Sequence, residues 1–134
     1  VIVVDLTVLG AYLLRTTGFA SAVKVVERDP LWVLPNIWRM EFLEALVGEV
    51  RTGRWSLADA HTRIAAAEFI IRFSHEVIDD LEILSYASKS QLNAAEITYV
   101  LTARKLGTKL VTAKTQILRE CADVAITPDQ FGGS

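Results

Sequence analysis

A chain of 134 residues and 14.8 kDa has material for one domain, because a folded unit of this size already hides about two-thirds of the surface of its unfolded chain. With 51% hydrophobic residues, 22% charged residues and three Pro, the composition excludes disorder and predicts one packed domain over 1–131 with a flexible tail at 132–134. The lone Cys121 excludes an intramolecular disulfide and CxxC metal motifs, so a reducing cytoplasm is the expected home, and a net charge of −2 gives no global pull toward nucleic acid.

Val1 to Val4 is a β-branched run suited to a buried strand, and Asp5 stands where that strand should end. The apolar stretch Val1 to Leu14 is interrupted by Asp5, lacks a basic leader and is too short to span a bilayer, so no targeting or membrane segment is expected. A helix is predicted from Thr7 to Leu14 and a second from Phe19 to Arg28, stopped by Asp29-Pro30. Leu31 to Leu34 reads as another short buried strand. Pro35 then opens a long helix ending near Thr52-Gly53, and Ser56 caps one that runs to about Phe69. Val77-Ile78 is expected to be a short strand, followed by a helix over Asp79 to Lys89.

Asn93 to Leu106 has the best-marked helix boundaries in the chain. Asn93 and Glu96 have capping-box spacing, Arg104 and Lys105 lie in the last turn, and Gly107 stands at the C-cap. Lys109 to Val111 and Val124 to Ile126 are predicted strands flanking a helical turn or two at Thr115 to Arg119. Short apolar strands alternating with helices predict a three-layer α/β/α sandwich around a short, mostly parallel sheet.

Ligands of an open parallel sheet bind beyond the carboxyl ends of its strands, which draws attention to polar residues there. Asp5 follows four apolar residues, where an ionised carboxylate must be exposed, hydrogen-bonded or bound to a cation. Each acid also has an ordinary reading. Asp5 can cap a helix, Glu41 and Glu44 can be a solvated helix face, and Glu96 can complete its capping box. Taken together, Asp5, Glu41 and Glu96 each fall near a helix start at the same predicted sheet edge. Oxygen ligands without His or Cys suit Mg²⁺ or Mn²⁺, ions that assist phosphodiester hydrolysis. Like-charged neighbours of this kind are expected to raise the pKa of at least one of the three.

The segments VVDLTVLGAYLL at 3–14, LPNIWRMEFLEAL at 34–46 and LNAAEITYVLTARKLGTKLVTAKTQIL at 92–118 resemble the PIN-domain family, especially VapC-type toxins of bacterial toxin–antitoxin pairs. Asp5 and Thr7 match the family's opening acid and hydroxyl, and Glu41 matches its second acid. Glu96, eleven residues before Gly107, matches the third, which is usually Asp. Where the family carries a fourth acid after LVTA, this chain has Lys114, and Glu44 replaces a common Asn.

The resemblance implies a Mg²⁺- or Mn²⁺-dependent ribonuclease that hydrolyses RNA phosphodiesters. Asp5, Glu41 and Glu96 would be its metal ligands and catalytic residues, with Thr7 or Thr112 orienting water. Arg39, Arg104 and Lys105 are candidate RNA contacts, although charged helix residues are more often simply solvated. A homodimer is expected from the family's habit of pairing and from apolar rows in 19–26 and 37–50, with an antitoxin segment in a separate groove. Lys114 motivates an alternative of another kind: a PIN-like nucleic-acid or protein binding module with weakened catalysis. An ammonium about 5 Å from a divalent ion, at an effective dielectric near 20, opposes that ion by at most roughly 6 to 7 kcal/mol. A receiver-like phosphoacceptor domain is disfavoured, because Pro35-Asn36 follows the second strand where an acceptor Asp would be needed. Trp32, Trp38 and Trp55 are assigned to core or interface, Cys121 to buried filling, and His61 and His75 to no catalytic role.

Overall fold

The computed structural model describes residues 1–74 and 76–133. Its elements in chain order are β1 (Ile2–Val4), α1 (Leu6–Leu14), α2 (Phe19–Arg28), β2 (Trp32–Leu34), α3 (Trp38–Arg51), α4 (Leu57–Ile70), β3 (Ile71–Phe73), α5 (Asp80–Ala87), α6 (Ala94–Leu106), β4 (Leu110–Val111), α7 (Thr115–Glu120), β5 (Ala125–Ile126) and α8 (Pro128–Gly132). The strands form one sheet in the order β3-β2-β1-β4-β5, and every pairing is parallel.

Parallel neighbours need crossover connections, and these are right-handed almost without exception. The chain moves outward from β1 to β2 and β3, then returns to β4 on the other side of β1. That reversal assigns α1 to α4 and α5 to α6 to opposite faces. The helix packing agrees, since α1 lies on α3 and α4 while α5 lies on α6. Covered on both faces, the central strands are apolar throughout: Val3, Val4, Leu34, Leu110 and Val111 are fully buried, as are Trp32 and Trp38. The expected α/β/α sandwich is therefore the fold. Among the described residues no single helix is long and apolar enough to cross a membrane; α1 and α2 together reach the length but are bent by 106°.

Three local expectations are corrected. Val77-Ile78 forms no strand; the sheet's outer strand is Ile71–Phe73, which pairs Trp32↔Ile71 and Leu34↔Phe73 directly after α4. Only Ile71 of its three residues is buried, so this edge strand lacks the continuous apolar signature of its neighbours. Val77 is 83% exposed, unlike a buried-strand residue. The third helix begins at Trp38, not Pro35, because Pro35 to Ile37 form a turn in which the Trp38 N–H donates to the Pro35 carbonyl at 3.0 Å.

The tail expected at 132–134 is shortened as well. Thr127 accepts from the Gln130 N–H while the Gln130 side chain reaches back to Thr127, and Pro128 takes the first turn of α8. Gly132 belongs to this helix, and Ser134 lies outside the described residues. Helix α8 packs on α2, so the apolar row at 19–26 has a partner within the chain. Cys121 is buried as expected, but it also faces a polar group: its Sγ is 3.0 Å from the Tyr86 hydroxyl. Burial and the adjacent thiol push that phenol up to about 12.

Candidate functional site

The reversal of strand order falls between β1 and β4, and a reversal of this kind opens a crevice beyond the carboxyl ends of the strands. Register decides what lines it. Val4 pairs with Val111, so the next residues, Asp5 and Thr112, emerge side by side. Both are buried, and the Thr112 hydroxyl donates to Asp5 Oδ2. Asp5 is also the N-cap of α1: its Oδ1 accepts from the Thr7 N–H at 3.0 Å and from the Thr7 hydroxyl. Thus the ordinary reading of Asp5 as a cap is correct, and the same carboxylate lies at the reversal crevice.

The two threonines hold the acid and brace the loop after β4. Thr7 Oγ1 accepts the Ala113 N–H at 2.9 Å, and Thr112 Oγ1 accepts the Lys114 N–H at 3.0 Å. Each hydroxyl therefore gives its proton to Asp5 and accepts a backbone donor. Both hydroxyls thereby orient Asp5.

Glu41 comes from the first turn of α3 and Glu96 from that of α6. Glu41 is half-buried, whereas Glu44, one turn on, is exposed. Its Oε1 accepts from the Tyr99 hydroxyl at 2.9 Å. Tyr99 is three residues after Glu96 on α6 and buried, so it links the second acid to the helix carrying the third. The sequence reading passed over Tyr99, although its spacing from Glu96 is that of two residues on one helix face. Burial, followed by the Glu41 charge and hydrogen bond, holds its phenol far above the usual range.

Glu96 does two jobs. Its Oε1 accepts from the Asn93 N–H at 2.9 Å and completes the expected capping box, while its Oε2 lies 3.3 Å from Lys114 Nζ. Lys114 is therefore turned into the edge. Asp5 and Glu41 both have pKa values raised above the usual carboxylate range. Burial is the main cause for each, with hydrogen bonds and the Lys114 charge acting against it. For Glu41 the charges of Asp5 and Glu96 add to the rise. Like-charge repulsion, expected to be the source, is thus a smaller contribution than desolvation.

The candidate RNA contacts do not join this edge by any described contact. Arg104 and Lys105 lie in the last turn of α6, about 12 Å along the helix from Glu96 at 1.5 Å per residue, and pair with Asp123 at 3.1 Å and Glu82 at 3.0 Å. Arg39 is engaged with Glu68 of α4. His61 lies on α4 beside Leu57 and Val47, away from the acids, and His75 is outside the described residues.

Among the described residues no three Asp, Glu, His or Cys side chains stand together as ligands for a metal ion. Glu96 Oε1 serves the Asn93 N–H and its Oε2 faces Lys114. Asp5 and Glu41 suit a hard cation better: they are desolvated carboxylates with oxygen donors, and Mg²⁺ commonly uses one or two carboxylates with water and substrate phosphate. A cavity of about 320 Å³ opens next to Thr7 and Ala113, walled also by Ala11, Ser21, Ala22 and Asp129.

The fold is thus a parallel sheet covered on both faces, with Asp5 at its reversal point. No protein-family model matches the chain, and no curated protein matches it. Among solved structures it is similar to PAE2754 from Pyrobaculum aerophilum, with a TM-score of 0.77 and 23% sequence identity over 97% of this chain and 92% of that one. The likeness establishes the fold over nearly the whole chain.

Proposed function

We propose that this chain is a PIN-like, VapC-type endoribonuclease that hydrolyses RNA phosphodiesters at the Asp5 edge with the help of Mg²⁺ or Mn²⁺. The observation that carries this reading is Asp5 itself: a buried carboxylate, oriented by two hydroxyls, beside Glu41 at the sheet's reversal point. Desolvated acids brought so near are costly unless something positive comes to them. Asp5 and Glu41 would hold the ion, whose contribution when bound is to polarise the phosphodiester and activate water.

The chain's own residues would do the rest. Thr7 and Thr112 fix Asp5, and Tyr99 fixes Glu41, so neither carboxylate must reorganise when charge arrives. Glu96 positions Lys114. The cavity beside Thr7 offers room for the part of the RNA that flanks the scissile phosphate. The setting consistent with this role is cytoplasmic, with an antitoxin protein and a second copy of the chain as partners.

The pairing of Lys114 with Glu96 favours a second reading, a PIN-like module that binds nucleic acid or protein without efficient cleavage. Purified chain incubated with labelled RNA separates the two. The nuclease reading expects cleavage that requires Mn²⁺ or Mg²⁺, stops with chelator and falls at least a hundredfold in Asp5→Asn. RNA binding without metal-dependent cleavage would establish the module instead.

A further inference from the structure

Arg39, Arg104 and Lys105, the cations expected to meet RNA, each pair with a carboxylate. A different set of arginines gathers where α1 ends against the turn between α3 and α4. Arg54 donates to the Leu14 carbonyl at 2.8 Å and to the Arg15 carbonyl at 3.2 Å. It thereby covers the open C-terminus of α1 and brings its own turn beside Arg15. Trp55 carries two guanidiniums over its ring, Arg63 at 4.4 Å and Arg54 at 5.7 Å from the centroid. Arg51, exposed in the last turn of α3, stands three residues before Arg54.

Charge, unpaired donors and backbone strain all mark this corner as a place for an anion. Segments 14–19 and 49–63 carry four arginines against two carboxylates, Glu49 and Asp59, and Glu49 is engaged by Arg54 at 2.8 Å. Among the described residues Arg15, Arg51 and Arg63 pair with no carboxylate. Arg63 Nε and the Trp55 indole N–H are buried without an acceptor among those residues, so donors exceed acceptors here. Arg15, at φ 53°, is the one non-glycine residue with positive φ among the described residues. A helix end in that conformation ordinarily takes Gly, and a long side chain kept there at a conformational cost points to a use for that side chain. Guanidinium forks match phosphate geometry, and a strand with a charge at every nucleotide can engage several of them together. We propose that Arg15, Arg51, Arg54 and Arg63 form a binding surface for the phosphate backbone of a nucleic-acid strand, about 14 Å along α1 from Asp5 at 1.5 Å per residue. This inference goes beyond the hydrolytic reading, since it concerns where the strand is held without any metal.

Fluorescence anisotropy of a labelled single-stranded RNA in excess chelator measures this binding with metal-dependent cleavage suppressed. Wild type should bind, and more weakly as salt rises. Arg15→Gly combined with Arg51→Gln should weaken binding at least tenfold and lower the slope of log affinity against log salt by about 1.4, the loss of two phosphate contacts. Gly suits the backbone at 15, so this variant should keep its Tm within about 3 °C of wild type. Arg51→Gln alone, at an exposed position, should lower the slope by about 0.7 and keeps the test decisive if the double variant melts early. Lys89→Gln with Arg119→Gln makes the same change in net charge at other exposed positions and should bind as wild type does. Equal weakening in both double variants would reduce the effect to net charge and overturn the surface, as would absence of RNA binding from wild type. Displacement of the RNA by polyglutamate at equal charge would overturn the nucleic-acid assignment in favour of an acidic protein. Cleavage with Mn²⁺ is read separately, so the nuclease reading stands or falls independently of this one.

Discussion

At Asp5 two demands oppose each other. As the N-cap of α1 and the acceptor of two threonine hydroxyls it helps to hold the fold. As a buried carboxylate it resists ionisation, and burial outweighs those hydrogen bonds, so its pKa is raised. The sign of the resulting pH dependence follows from linkage: the folded chain holds this proton more tightly than the unfolded chain. Stability therefore falls as pH climbs from the unfolded value of 3.8 through the raised folded pKa, and stays reduced above it. Asn keeps the size and capping ability of Asp without the charge. In the absence of metal, Asp5→Asn should therefore gain in Tm relative to wild type as pH rises from 5 to 8, because only the carboxylate pays for ionising in the buried site. Thermal melts from pH 5 to 8 check this; a less stable variant across that range would mean that ionised Asp5 is a net support of the fold.

Among the elements, α8 was the least visible from the sequence and is the easiest to test. Thr127, Pro128 and Gln130 carry a complete helix start, but five residues make little helix alone, since nucleation is costly and short helices depend on packing. What stabilises α8 is its seat on α2. A Cβ added at Gly132 would stand 2.8 Å from Lys24 Cβ, an atom fixed close to the α2 backbone. Gly132→Ala should therefore push α8 off α2 and cost about 1–3 kcal/mol, despite Ala's better helix propensity. Equilibrium urea unfolding measures the change; a neutral or stabilising result would show that α8 contributes no tight packing. Helix α6 is the contrasting case, because Asn93, Glu96 and Gly107 mark both its ends locally and all three occupy the expected cap positions.

For the molecule as a whole, α5 leaves apolar surface without a partner among the described residues. None of its residues is buried, and Leu81 and Leu84, at 70% and 67% exposure, are spaced to share one face. If the chain pairs as proposed, this is a face that a second copy would cover. Sedimentation at tens of micromolar should then give a dimer for wild type and a monomer for Leu81→Lys combined with Leu84→Lys. Both positions face solvent, so the double variant should retain its Tm to within about 3 °C. A wild-type monomer would dismiss the pairing, and a dimer indifferent to both substitutions would move it to another face.

The alternation of short buried strands with capped helices, and hence the α/β/α class, is legible in the chain residue by residue. Those properties rest on local signals, such as the β-branched run before Asp5 and the Gly107 cap, which operate over a few residues. The sequence also picked out Asp5, Glu41 and Glu96 as unusual acids. What those acids touch depends on long-range packing. The placement of β4 beside β1 sets Thr112 against Asp5 across 107 positions, and the packing of α6 brings Tyr99 to Glu41 across 58. Contacts this distant carry no local signature: they depend on strand order and register, which the packing of both helical layers specifies together. The edge strand Ile71–Phe73 escaped for the same reason, since pairing with β2 makes it a strand while its exposed residues leave no continuous apolar run to read.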